Sequence, residues 1–284
     1  MKSITRVQAL EPERFIADYV VKNVPVIVTD AMQSWPLHRW SPEHLLDVFG
    51  DREVQVYDTL FSLMDTCTLR QYLEQNFNRD AGYSAKEYVR WYIKLKDVDF
   101  VWADEVFAAL ESEWAAPYFF PRNSFHLPPC GPEGSISPAR HMFPYKGLLI
   151  SGRGARTRLH KDPYGTDAIL CQFYGRKDIK FYSPAEDHRL HRNGEFVDPA
   201  RPDLESFPDF GDAQPVHEDV LEAGEILFIP GGWFHDVNSA SDSVSITWNF
   251  VHAANTSLFE REVADTRIQH DRDVLAYFMT AAGS

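Results

Sequence analysis

From Lys146 to His252 the chain reads as a close succession of short strand-like runs: KGLLISG, TRLHKD, DAILCQFYG, KDIKFYSP, EILFIPGG, FHDVNSA and SVSITWNFVH. Gly, Pro, Asp and Asn punctuate them. Strands this short and this evenly spaced bury their apolar faces only by folding over one another. The spacing therefore predicts a β-sandwich or barrel.

The preceding part is more mixed. Residues 11–22 (EPERFIADYVVK) place apolar side chains at helical spacing, and Val24–Thr29 reads as a buried strand. Ser41 is a good N-cap for SPEHLLDVFG, with Pro42 at the first helical position and Gly50 at the end. Glu53–Tyr57 alternates as a strand, Thr68 opens the helix TLRQYLEQN, and residues 103–112 look helical. Residues 121–146 read as a long Pro- and Gly-rich loop, and helix returns after Thr256 in LFEREVADTRIQHDRDVLAYFM. We expect a mixed α/β accessory region over 1–120, a β core over 121–255 and a helical segment over 256–284, the last a candidate homodimer element. The class is mostly β with helical decoration.

Acidic residues outnumber basic ones, 42 to 28, for a formal charge of −14. Such a chain is a poor match for phosphate backbones, so nucleic acid is not an expected partner; basic small molecules or peptides are favoured. Cys67, Cys130 and Cys171 are widely spaced and form no CxxC pair. The start, MKSITRVQALEPERF, lacks a signal-peptide apolar run, and no stretch approaches the ~20 apolar residues of a membrane span. The expected location is cytoplasmic, with no membrane partner.

Within the β region, His160 and Asp162 stand one residue apart on a predicted strand, so period two puts both on one face. His235 arrives from a distant strand after the Gly-Gly turn of GEILFIPGGWFHDV. Two imidazoles and one carboxylate on one side of an ion leave open positions for a bidentate oxo-acid and O₂. The same set can hold zinc, which would favour hydrolysis through an activated water. In KDIKFYSP, Lys177 shares a face with Ile179 and Phe181; if those are core residues, the lysine points inward and needs an anion. Its place after the Gly175-Arg176 turn also suits a surface lysine, and position alone favours that reading. Thr247 and Asn249 alternate with Ile246, Trp248 and Phe250, as either a polar barrel lining or the solvent face of an ordinary strand.

These residues, in this order, resemble the Jumonji C (JmjC) oxygenases, most nearly the lysyl-hydroxylase subgroup once called the phosphatidylserine receptor. The shared pieces are the HxDPxGTxA run from His160, the spacing to Lys177, the PGGWxH turn and the later ITxNF, with PVIVTDAMQSW and GYSAKEYVRWYIKL upstream. The resemblance implies a double-stranded β-helix, a jelly-roll core of the cupin type. It implies Fe(II) on His160, Asp162 and His235, with 2-oxoglutarate and O₂ as cosubstrates. Lys177 and Thr247 would hold the far carboxylate of 2-oxoglutarate, and Thr157 and Asn249 would complete its shell. Thr157 has the wrong strand parity relative to His160, so its role requires a bulge. Tyr92 matches a pocket tyrosine, and Leu170 stands where the subgroup has an asparagine, so a polar contact is lost there. The basic, serine-rich tail of the animal relatives has no counterpart.

The implied activity is hydroxylation of an amino-acid side chain, peptide-bound, free or carrier-bound and basic in character, with release of succinate and CO₂. The alternatives are a tRNA-base hydroxylase, an N-methyl demethylase and a non-catalytic cupin-like binding protein.

Overall fold

The computed structural model describes residues 2–80, 82–92, 117–120, 147–162, 165–252, 254, 257, 258 and 261. The expected helix at 103–112, the loop at 121–146 and most of the helical segment at 256–284 lie outside the described residues.

Strands form in chain order as β1 (Thr5–Val7), β2 (Val26–Val28), β3 (Glu53–Tyr57), β4 (Leu63–Thr68), β5 (Tyr88–Tyr92) and β6 (Gly147–Ser151). Then come β7 (Arg156–His160), β8 (Asp167–Tyr174), β9 (Lys177–Tyr182), β10 (His191–Arg192) and β11 (Glu195–Phe196). Last are β12 (His217–Leu221), β13 (Ile226–Ile229), β14 (Phe234–Ser239) and β15 (Ser243–Phe250). A nine-stranded sheet runs β1-β2-β13-β8-β15-β6-β5-β3-β4, and a four-stranded sheet runs β12-β9-β14-β7. The runs after Lys146 thus alternate between two facing sheets, which is the jelly-roll arrangement. Strands β1 to β5 extend the larger sheet on both sides of it.

Strand alternation divides the apolar residues into layers. Ala168 and Leu170 of β8 pack between the sheets with Ile179, Phe181, Leu227, Ile229 and Val237. Their neighbours Ile169, Cys171 and Phe173 face the other way, in a cluster with Phe228, Val244, Ile246 and Phe250. Leu45 and Phe49 of helix α1 (Pro42–Phe49) and Leu69, Tyr72 and Leu73 of α2 (Leu69–Asn76) complete that cluster. Trp40 stacks on Phe173 with centroids 4.1 Å apart. The outer face of the smaller sheet is sealed by Leu159, Tyr182 and Phe234 with Leu190, Val197 and Phe207.

Helix starts follow the expected chemistry. Ser41 Oγ accepts from the His44 amide at 3.2 Å, and Thr68 forms a reciprocal capping box with Gln71. Residues 11–22 differ from the single helix expected. An α turn, Pro12–Phe15, gives way to a π-helical turn, Ile16–Val20, closed by the Val21 amide on the Ile16 carbonyl. The wider turn puts residues five apart on one side, so Phe15 and Val20 are both buried. Strands β1, β4, β5, β10, β11 and β12 go unread in the sequence; β5 is interior, while β1, β4 and β12 lie at sheet margins. At a margin neither face has to be apolar and no alternating run develops.

Candidate metal centre

His160 is the last residue of β7, and it lies directly across from His235 near the start of β14. Strand β7 pairs no further, so Asp162 stands beyond its end rather than on the strand as expected. It precedes Pro163, which favours an extended backbone there, so the carboxylate still turns back toward the histidines. One ligand-capable atom from each of His160, Asp162 and His235 lies within 4.8 Å of the others.

The local chemistry leaves these three groups suited to a cation. His160 Nδ1 lies 2.9 Å from the Arg158 carbonyl, and His235 Nδ1 lies 3.1 Å from the Trp233 carbonyl. A carbonyl only accepts, so both Nδ1 atoms carry the proton and both Nε2 atoms offer a lone pair. Burial, the neighbouring His235 and Arg90 hold His160 well below the usual imidazole pKa, so it stays neutral. Burial pushes the Asp162 carboxyl up, against the opposing pull of His235, an Asn249 hydrogen bond and Arg90. Asp162 Oδ2 is buried with no hydrogen-bond partner among the described residues. An orphaned buried carboxylate oxygen beside two imidazole lone pairs is the environment a divalent ion resolves. The donor set is the one that suits iron in oxygen chemistry.

Glycines fix the approach of the third ligand. Gly232 has φ +80°, a left-handed conformation, and a side chain on Gly231 would meet the Gly165 carbonyl at 2.4 Å. The Gly231 amide also donates to Asp167 Oδ1 at 2.8 Å. The turn before His235 is thereby locked to the segment that follows Asp162.

Lys177 is buried at 5% exposure, on the face of Ile179 and Phe181. The surface alternative is overturned: β12 and β14 flank β9 on both sides, so its strand start is not at an edge. Among the described residues its Nζ approaches only hydroxyls, Ser239 Oγ at 3.3 Å and Ser151 Oγ at 3.4 Å. Burial, with a smaller contribution from Arg90, lowers its pKa to about 7. Phe181, four residues further along β9, pairs with His235. That separation is roughly 13 Å of strand. A lysine side chain and a five-carbon diacid together bridge it.

Thr247, Thr157, Asn249 and Tyr92 lie on β15, β7 and β5. Thr247 pairs with Leu170 across β15 and β8, and Leu170 belongs to the apolar layer between the sheets. Thr157 pairs with Val237, while the β7–β14 register slips between His235 and Val237. That slip is the bulge its parity requires; it turns Thr157 inward, where its Oγ1 lies 3.2 Å from the Tyr88 hydroxyl. Asn249 Nδ2 donates to Thr166 Oγ1 at 3.0 Å, so this side chain braces the Asp162 segment. Tyr92 pairs through its backbone with Gly147, and its side chain lies outside the described residues.

The sequence reading overlooks Arg90 and Phe61. Arg90 is buried, and its guanidinium lies 3.5 Å from the Phe61 ring centroid and 4.5 Å from that of Tyr88. Its charge acts on His160, Asp162 and Lys177 alike. The signal was the alternation in YVRWY: Val89 faces the outer core, so Tyr88 and Arg90 face the barrel. Phe61, at the β3–β4 turn, meets His160 edge-on at 5.0 Å.

The family model for the cupin-like domain matches residues 12–256. Among curated relatives, an Arabidopsis thaliana protein called arginine-specific demethylase JMJ22 is 28% identical over 89% of this chain and 47% of its own length. The Gallus gallus 2-oxoglutarate and iron-dependent oxygenase JMJD4 is 24% identical, over 90% of this chain and 61% of its own. The Gallus gallus tRNA wybutosine-synthesizing protein 5 is 27% identical, over 84% and 74%. The chain thus spans about half to three-fifths of the length of the first two. With its jelly-roll core and its His-Asp-His cluster, the chain belongs to the cupin-like domain family, as a JmjC-type member.

Proposed function

We propose that this chain is an Fe(II)- and 2-oxoglutarate-dependent oxygenase that hydroxylates an amino-acid side chain, basic in character. The observation that carries the reading is Lys177, a buried ammonium facing the same barrel interior as the triad, with two hydroxyls and no carboxylate against it among the described residues. A buried cation of that kind is retained at a cost unless an anion joins it. The far carboxylate of a diacid chelated at the triad meets that need. A non-catalytic cupin would keep neither the lysine nor the orphaned Asp162 oxygen.

His160, Asp162 and His235 would hold the metal, which when bound supplies the oxygen-activating chemistry, with succinate and CO₂ as coproducts. The chain's own residues do the rest. The Arg158 and Trp233 carbonyls fix the imidazole tautomers. Asn249 steadies the Asp162 segment, and Lys177 with Thr247 anchors and orients the diacid. The layer of Leu170, Ile179, Phe181 and Leu227 excludes water, so charges inside the barrel interact strongly.

The amino-acid reading draws support from the formal charge of −14, which attracts cations, and from the name of the arginine-specific relative. The relative named as a tRNA wybutosine-synthesizing protein marks the competing reading. The deciding experiment incubates the Fe(II)- and 2-oxoglutarate-loaded protein with Lys/Arg peptides, free amino acids and tRNA, and follows succinate and product mass. Gain of one oxygen on an amino-acid substrate is expected; turnover with tRNA alone would overturn the reading.

A further inference from the structure

The β3–β4 hairpin joins the metal centre to an open sheet edge. Phe61 at its turn has φ +73°, which a bulky residue adopts only under strain. The strain is held in place. Asp58 Oδ1 accepts from the Leu60 amide at 2.8 Å and the Ser62 amide at 2.9 Å. The Asp58 amide donates to the Ser62 carbonyl, and the Arg158 amide donates to the Thr59 carbonyl at 2.9 Å, tying the turn to the strand that carries His160. The Phe61 ring lies beneath the Arg90 guanidinium and against His160, yet the residue remains 38% exposed.

From Phe61 an apolar strip continues along β4, where Leu63 is 53% and Met64 54% exposed. Strand β4 ends the nine-stranded order and has no outer partner among the described residues. Its guards are few: LMDTCT contains no lysine, arginine or proline, its one charge is Asp65, and the β3–β4 register slips at Met64. Glu53, Asp58 and Asp65 are the only charged residues of the segment 53–68.

We propose that β4 is the docking edge for an extended, basic peptide, which pairs with it as an added strand, and that Phe61 positions the peptide's oxidised side chain at the metal. Main-chain pairing supplies affinity, Leu63 and Met64 supply apolar contact, and the acidic hairpin selects for basic residues. The exposed face of the Phe61 ring takes the aliphatic stem of the side chain. This rests on the oxygenase reading and narrows its substrate to a peptide rather than a free or carrier-bound amino acid.

The test uses the full chain loaded with Fe(II) and 2-oxoglutarate and a library of extended peptides with a central lysine or arginine, beside free lysine and arginine. The wild type should convert peptides and not the free amino acids. Met64→Lys, at an exposed position, should raise the peptide KM at least ~10-fold, as loss of a central contact does. It should leave the melting temperature and the slow peptide-independent formation of succinate unchanged. Phe61→Gly relieves the left-handed backbone, so it should lose peptide turnover without losing thermal stability. Conversion of free amino acids only, conversion of neither probe, an unchanged peptide KM in Met64→Lys, or a Phe61→Gly protein that melts earlier yet keeps its peptide KM would each overturn the proposal. Failure of the underlying oxygenase reading looks different: the wild type would form no succinate under any condition.

Discussion

The two faces of β15 divide the protein's work. Val244, Ile246 and Phe250 point into the cluster under the helices, and all are essentially fully buried. Ser245, Thr247 and Asn249, the residues between them, point into the barrel; Ser245 and Asn249 are buried, and Ser245 Oγ has no hydrogen-bond partner among the described residues. One face gains stability from close apolar packing, while the other carries polar groups toward the metal centre, Asn249 among them. Substitutions on the two faces should therefore separate stability from chemistry.

The sharpest separation is expected at the metal ligands. Asp162→Ala should abolish metal binding and 2-oxoglutarate turnover while leaving the melting temperature of the metal-free protein unchanged or higher, since it removes an orphaned buried oxygen. Metal content by mass spectrometry and a thermal melt check both halves. On the opposite face, Ile246→Ala should cost about 2–5 kcal/mol of stability in a denaturant titration. Its KM for 2-oxoglutarate should stay within error; a large KM change there would erase the division between the faces.

Lys177 gives the next effect. Lys177→Met should weaken 2-oxoglutarate at least ~10-fold, because a charge-assisted hydrogen bond is worth about 1.5–3 kcal/mol. Its pH behaviour has a definite sign. The folded-state value, about 7, lies below the ordinary 10.5, so the unfolded chain binds the extra proton between those limits. This group therefore adds stability as pH rises from about 7 toward 10.5, and its full penalty is present below about 7. Lys177→Met should remove that slope and gain most stability at the acidic end. The same titration should make 2-oxoglutarate affinity fall above pH 7 in the wild type and not in the variant. Thr247→Val should be the mildest, a roughly 2- to 10-fold loss of 2-oxoglutarate affinity from one neutral hydrogen bond.

Much of this was legible in the chain itself. Period two exposed the inward parity of Lys177, and the distant His235 announced itself by its Gly-Gly turn. What was hidden depends on partners far away in sequence. The bulge that turns Thr157 inward is a property of the β7–β14 register, which no local pattern records. The burial of Lys177 rests on its having neighbours on both sides of β9, although position favoured the surface. Arg90 was readable in principle, as a cation on the barrel-facing parity of YVRWY, but only once Val89 is known to face the helices. Strand β4 gave no signal because an edge needs no apolar face, and the same openness makes it available to a substrate.

Lys177 and the His160-Asp162-His235 cluster are proposed to form one site for a chelated diacid. Anaerobic calorimetric titration of 2-oxoglutarate into the Fe(II)-loaded protein tests it most directly. One binding site per chain is expected, weakened at least ~10-fold in Lys177→Met and lost with the metal in Asp162→Ala. Equal 2-oxoglutarate affinity in the wild type and Lys177→Met would contradict it.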